Sequence, residues 1–217
     1  MPANREEIDE VLMDRLSSVS PNDLGHRFHF GIPKSALEYM GVPAPLPVVG
    51  RAMTVRAPPE DSAVVHKATE IAEDDEVIIV DMKGHKENAP WGEMTTRAAI
   101  NSGAAGAIID GSITDSEIIR ELEFPVYARR KSVRTTRLHG RGGEINCPVQ
   151  IAGATVRPGD VVLGNADGVI FLPPEDVETA VEYGEQIKEN ESEFIRKLNN
   201  GQSLADITDA NELLDDR

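Results

Sequence analysis

Between residues 62 and 130 the chain alternates two patterns. Apolar runs without polar interruption, "EVIIV" at 76–80 and "AGAII" at 105–109, read as strands buried on both faces. Around them, "DSAVVHKATEIAEDD" (61–75), "GEMTTRAAINSGA" (92–104) and "SEIIRELEF" (116–124) space their apolar residues as one-sided helices. The first opens on an Asp/Ser cap and the second closes at Gly103, a natural helix stop. With "PVYARR" the order is helix, strand, helix, strand, helix, strand. Such alternation predicts an α/β layer with largely parallel strands.

The flanks read differently. Residues 5–17 place Ile8, Val11, Leu12 and Leu16 on one helix face, and Ser20-Pro21-Asn22-Asp23 marks a helix start or turn. "PLPVVGRAMTVRA" (45–57) reads as a strand pair interrupted at Gly50. In "AGAIID" the strand is expected to end at Asp110, with a short turn at Gly111-Ser112. Residues 144–173 hold several short strands and the turns "RPGD" and "NADG", where Pro presets φ and Gly and Asn accept positive φ. They predict an antiparallel β layer. From Pro174 to about Leu198 the chain is helical and acidic. The expectation is one domain over residues 1–217, with an N-terminal helical extension to about residue 40 and a C-terminal helix over about 174–200.

Composition narrows the function. No apolar run approaches the ~20 residues of a membrane helix, and the charged N-terminus lacks a signal-peptide core. A cytoplasmic protein without a membrane partner is expected. The single Cys147 excludes an intrachain disulfide framework, and in "INCPVQI" it reads as a buried strand thiol. A net charge of -16 argues against nucleic acid, which needs a basic stripe. Of 22 basic residues 15 are Arg and 7 Lys, and the acids are spread along the chain. High salt screens the self-repulsion of such a surface, so a halophilic source is expected.

Candidate chemistry gathers at strand ends, where α/β sheets bind ligands. These ends offer Asp81 and Lys83, and the stretch Asp110 to Asp115. In "WGEMTT", Gly92 gives tight entry to a helix whose free Met94 and Thr95 N–H groups suit a carboxylate. Glu93 and Asp115 both fall at helix starts on one sheet edge. Each has a plain alternative role: Glu93 favours the helix dipole, and Asp115 caps the helix that follows it. Together they could also form a hard-metal site for Mg²⁺, which takes oxygen ligands and keeps several waters.

The runs "WGEMTTRAAINSGAAGAIIDGSITDSEIIRELEFPVYAR" and "NCPVQIAGATVRPGDVVLGNADGVIFLP" resemble the RraA-like family over about residues 45–201. That family includes divalent-metal 4-hydroxy-4-methyl-2-oxoglutarate aldolases and the regulator of ribonuclease E activity. The resemblance implies a layered α/β/β/α domain with a mainly parallel sheet and a second antiparallel β layer. It also implies a homo-oligomer, trimer or hexamer, with sites between subunits. The aldolases carry an acid, twenty residues, then Arg-Asp; here Glu93 is followed by twenty residues and Thr114-Asp115. By resemblance Asp115 would ligate Mg²⁺ or Mn²⁺ directly and Glu93 would hold metal-bound water. The Met94 and Thr95 N–H groups would receive a 2-oxo acid, and Glu191 would enter from a neighbouring subunit.

The expected activity is a class II type lyase on a 2-oxo acid: retro-aldol cleavage releasing pyruvate, or oxaloacetate decarboxylation. Thr114 stands where the aldolases place Arg, which predicts an altered substrate. Arg97, Lys83 and Lys86 are candidate substitute cations. Two alternatives are a non-catalytic binding or regulatory protein and a Schiff-base aldolase using Lys83. His26 and His29 lack a third ligand, and His66 reads as packed against Val64, Val65 and Ile71. The basic cluster Arg129, Arg130, Lys131, Arg134 and Arg137 reads as subunit salt bridges or anion contacts.

Overall fold

A computed structural model describes residues 8–35, 37–41 and 48–215. Positions 5–7 of the expected first helix and 45–47 of the expected strand lie outside the described residues. Helix α1 (Glu10–Ser17) starts at Asp9, whose carboxylate accepts from the Val11 N–H at 3.0 Å. Ile8 and Leu16 are buried as expected, but Val11 is 63% exposed. It lies on the solvent face. Helix α2 (Pro21–Gly25) is closed by a reciprocal capping box between Ser20 and Asp23. The segment up to residue 40 is not wholly helical, because β1 (Glu38–Tyr39) pairs antiparallel with residues 127 and 128 at the sheet edge.

The α/β alternation is present. Strands β2 (Val48–Arg56), β3 (Glu76–His85), β4 (Gly106–Ile113) and β5 (Val126–Lys131) run parallel. Between them lie α3 (Ala63–Ile71), α4 (Glu93–Asn101) and α5 (Ser116–Glu121). Gly50 does not break β2. A β-carbon there would collide with the Asp75 carbonyl oxygen, so the glycine permits close approach rather than a turn. Gly111 and Ser112 likewise continue β4, and the strand reaches Ile113 through an irregular register.

In the C-terminal half come β6 (Glu144–Ile145), β7 (Val149–Ile151), β8 (Ala154–Val156), β9 (Val161–Asn165) and β10 (Gly168–Leu172). All pair antiparallel, but only β7 and β8 form a separate sheet. β9 and β10 extend the main sheet beyond β2, and β6 pairs with the far end of β2. Among the described residues the main sheet has eight strands, seven of them in the order β1-β5-β4-β3-β2-β9-β10. After a 3₁₀ turn at Pro174–Asp176, α6 (Val177–Asn199) is followed by α7 (Leu204–Ile207) and α8 (Ala210–Asp215). The sequence pattern did not predict these last two.

Strand alternation sorts the core. Ile78, Val80 and Ile109 pack with α3, α4 and Trp91 on one face. Val77, Ile79 and Ile108 pack with Val149 and Ile151 of the β7–β8 hairpin on the other. A third apolar cluster joins Leu163 and Ile170 to Leu16, Leu24 and Val181 of α1, α2 and α6. Beyond Gly184 the long helix leaves this core, and Phe194, Ile195 and Leu198 are exposed.

Candidate active site

The helix α4 begins at a fixed point. The indole of Trp91, fully buried, donates to the Thr96 hydroxyl at 2.9 Å. The Gly92 N–H donates to the Thr95 hydroxyl, also at 2.9 Å. Gly92 is an extended residue with no room for a side chain. A β-carbon would lie 2.6 Å from both Asp115 Oδ2 and Thr114 Cγ2. That contact brings the start of α4 against the end of β4.

Asp115 does not cap its own helix. An N-cap prefers extended backbone, whereas Asp115 is left-handed, with φ of 53°, and makes no side-chain bond to α5. Its Oδ2 instead accepts from the Glu93 N–H at 3.1 Å, so it satisfies an orphan donor of the neighbouring helix. Oδ1 accepts only a 3.2 Å contact from the Thr114 hydroxyl among the described residues. Glu93 turns the other way, and its Oε1 accepts from Arg97 Nε at 2.9 Å. The first-turn N–H groups of Met94 and Thr95 have no intrahelical acceptor, as at any helix start.

Glu93, Asp115, Thr114, Gly92, Met94 and Thr95 line one cavity of about 230 Å³. The sequence reading set Glu93 and Asp115 at helix starts on one sheet edge, and the structure places both on this cavity. Arg97 is not among the lining residues, and its guanidinium is held by Glu93. Glu191 is exposed on α6 and lies outside this cavity. His66 is not packed as expected. It is exposed, and its Nε2 lies 3.5 Å from the Ser62 hydroxyl, with both residues on the cavity wall.

Thr135, Thr136 and Leu138 complete the rim, and no periodicity in the sequence marked them. Their segment is tied down by Asp61, which is 1% exposed. Its carboxylate accepts N–H groups from Ala63 at 3.0 Å, His139 at 3.1 Å and Arg141 at 2.6 Å. These bonds, led by that from Arg141, lower its pKa to about 2.

The other singled-out residues lie elsewhere. Lys83 is exposed and lines a different cavity. Arg129 pairs with Asp110, and Arg134 with Glu87 at 3.1 Å. Lys86 is exposed, and its carbonyl accepts from the Ser112 hydroxyl. His26 and His29 are exposed, and the described residues hold no group of three or more His, Cys, Asp or Glu suited to a metal. Cys147 is buried as expected, though in a bend rather than a strand, and burial pushes its thiol pKa up. No helix among the described residues is long and apolar enough to cross a membrane.

A mainly parallel sheet with helices on one face, a β hairpin on the other and paired acids at two helix starts defines a layered α/β protein. The chain belongs to the RraA-like family, matching Aldolase/RraA over residues 13–171. A Halalkalibacterium halodurans protein, provisionally named 4-hydroxy-4-methyl-2-oxoglutarate aldolase, is 36% identical over 126 residues. The match spans 58% of this chain and only 60% of that relative's length. Among solved structures, the RNA-processing inhibitor RraA from Thermus thermophilus is 28% identical with a TM-score of 0.59. It covers 65% of this chain and 84% of its own. An uncharacterized Pseudomonas syringae protein, 20% identical with a TM-score of 0.80, covers 97% of this chain and 98% of its own, and it shows the fold alone.

Proposed function

We propose that this protein is a divalent-metal-dependent lyase acting on a small 2-oxo acid, by retro-aldol release of pyruvate or by oxaloacetate decarboxylation. One observation carries the reading. Asp115 leaves its own helix uncapped and turns its carboxylate into a cavity shared with Glu93 and the first turn of α4. The aldolase name of the H. halodurans relative supports it.

The donor set fits a hydrated hard cation better than a caged one. Asp115 offers an oxygen with a single weak partner, and Glu93 could reach the hydration shell once released by Arg97. Mg²⁺ or Mn²⁺ held by Asp115 would supply Lewis acidity to the 2-oxo group. The chain's own residues do the rest. The Met94 and Thr95 N–H groups receive the substrate carboxylate at the positive end of α4. The imidazole of His66, the one among the described lining residues, offers a hydrogen-bonding group on the cavity wall. In an assembly Glu191 of a second copy would close the open side of the cavity.

The Schiff-base alternative fits less well, because exposed Lys83 lacks the desolvation such a lysine requires. A non-catalytic regulatory role is favoured by one feature, the neutral Thr114. The deciding assay follows pyruvate release from oxaloacetate and from 4-hydroxy-2-oxo acids, with Mg²⁺, Mn²⁺ or EDTA. Metal-dependent turnover supports the lyase. Turnover undiminished by EDTA, or none on any 2-oxo acid with metal bound, removes it.

A further inference from the structure

The parallel strands carry a row of charge at one level. Arg56 on β2 is in register with Asp81 on β3, and Asp81 with Asp110 on β4. Arg129 on β5 bonds Asp110 Oδ1. Asp81 and Asp110 are 4% and 2% exposed. By strand alternation Asp81 shares the face of Val77 and Ile79, away from the helices. The row therefore faces the β7–β8 hairpin. With Lys83, Gln150 and Thr155 it lines a cavity of about 700 Å³ that shares no residue with the Glu93–Asp115 cavity.

A structural salt bridge accounts for Arg129 and Asp110 but not for the rest. Asp81 accepts the N–H groups of Lys83 at 2.7 Å and Gln150 at 3.4 Å. No donor among the described residues reaches Asp110 Oδ2. Asp110 lines the cavity, and this oxygen is open to accept from a ligand there. The ladder on each side of Asp110 also breaks here, between Asp81 and His85 and between Ile109 and Ser112. Lys83 is held left-handed, with φ of 54°, and Gly84 follows at 69°. A β-carbon on Gly84 would come within 3.3 Å of the Arg129 guanidinium, so the glycine leaves room for it. Irregular ladders and strained backbone gather beside binding sites.

The lining groups name the ligand's chemistry. Three cations, Arg56, Lys83 and Arg129, line the cavity together with two acids, Asp81 and Asp110. Glu144 holds Arg56 at 3.1 Å, with the Pro148 carbonyl at 2.5 Å, and Asp110 holds Arg129, which leaves exposed Lys83 as the lining cation without a partner among the described residues and a point of attachment for an anion. The buried carboxylates accept hydrogen bonds and donate none. A ligand that satisfies both features brings hydroxyl donors and one carboxylate. We propose that this second cavity binds a small polyhydroxylated carboxylic acid of the sugar-acid class. Its carboxylate rests on Lys83, and its hydroxyls donate to Asp81 and Asp110. The volume lies within the range of small-molecule sites.

Calorimetric titration of the full chain tests this, with D-gluconate as the probe and sorbitol and hexanoate as partners lacking one feature each. Gluconate should bind in the millimolar range or tighter, and the other two at least about tenfold more weakly, the loss of one charge-assisted hydrogen bond. Lys83→Met, at an exposed position, should weaken gluconate by about the same factor. Asp110→Asn should do likewise, and Asp115→Ala should leave it unchanged. Absence of gluconate binding overturns the proposal. So does sorbitol or hexanoate binding equal to gluconate's, binding indifferent to Lys83→Met, or binding lost in Asp115→Ala. None of these outcomes bears on lyase activity in the other cavity.

Discussion

The Asp115 carboxylate accepts the Glu93 N–H at 3.1 Å, so the end of one strand caps the helix that precedes it in the chain. One side chain thereby does two jobs. It holds α4 in place, and it presents its other oxygen to the cavity.

The two jobs separate by mutation. Asp115→Asn keeps an acceptor for the Glu93 N–H but loses the charge, so the fold should persist while metal-dependent activity disappears. Asp115→Ala should lose both, with a stability cost of about 1 kcal/mol typical of a lost cap. Glu93→Gln should reduce activity by about 10–100-fold, as an outer partner would. Thermal unfolding measured beside pyruvate release distinguishes these cases. An active Asp115→Asn enzyme would exclude the carboxylate as a ligand.

Thr114 sits beside Asp115 with a neutral hydroxyl, which cannot offset developing negative charge as a guanidinium can. Weak or absent cleavage of 4-hydroxy-4-methyl-2-oxoglutarate by the wild type is expected. Thr114→Arg should raise it by up to about 10²-fold, the scale of one preorganised donor. The gain should vanish in Thr114→Arg/Asp115→Ala. Steady-state kinetics of the three proteins gives the answer, and efficient wild-type cleavage would direct attention to Arg97.

Acid should loosen the rim of the cavity. Asp61 has a folded pKa of about 2 against an ordinary 3.8, a depressed value. Its stabilising contribution is therefore complete above 3.8 and lost as pH falls toward about 2. Asp61→Asn should be less stable than wild type near neutrality, and the gap should narrow as pH drops through that window. Denaturant unfolding at a series of pH values measures the gap. A gap of constant size would mean that the backbone bonds to Asp61 do not depend on its charge.

The distal half of α6 exposes Phe194, Ile195 and Leu198, and Leu204, Leu213 and Leu214 follow on α7 and α8. Removing residues 189–217 spares the buried part of α6, which ends at Gly184. The shortened chain should stay folded, assemble less in light scattering and lose activity with Glu191. Full activity from a monomer would take Glu191 out of the site.

Salt supplies a further check. A charge of -16 with only 7 Lys should make the folded state more stable in molar KCl than in dilute buffer. A melting temperature that does not rise with salt would leave the acidic surface without a halophilic explanation.

Local patterns made the α/β half legible. The runs at 76–80 and 105–109 are buried on both faces and form adjacent parallel strands, as their composition implied. What escaped depends on partners distant in sequence. Gly50 looked like a break because its reason, the approach of Asp75, lies 25 residues away. β9 and β10 had clear turns, but their place on the edge of β2 is set by ladder pairing that local pattern does not encode. Glu93 and Asp115 drew attention because strand-to-helix junctions are recognisable, and Thr114 through the resemblance to the aldolases; the structure places all three on one cavity. His66 and Thr135 were missed because helical spacing suggested packing for one, and the other lies in a segment without period.

The contact at Gly92 also constrains how this protein can change. With Asp115 Oδ2 and Thr114 Cγ2 both 2.6 Å from where a β-carbon would sit, the floor of the cavity cannot accept a larger residue without parting α4 from β4. The rim has no such restriction, since Leu138 is 62% exposed and Thr135 and Thr136 lie in a segment anchored through backbone groups. Divergence in substrate among proteins of this design should therefore accumulate at the rim, while the glycine and the carboxylate it faces stay paired.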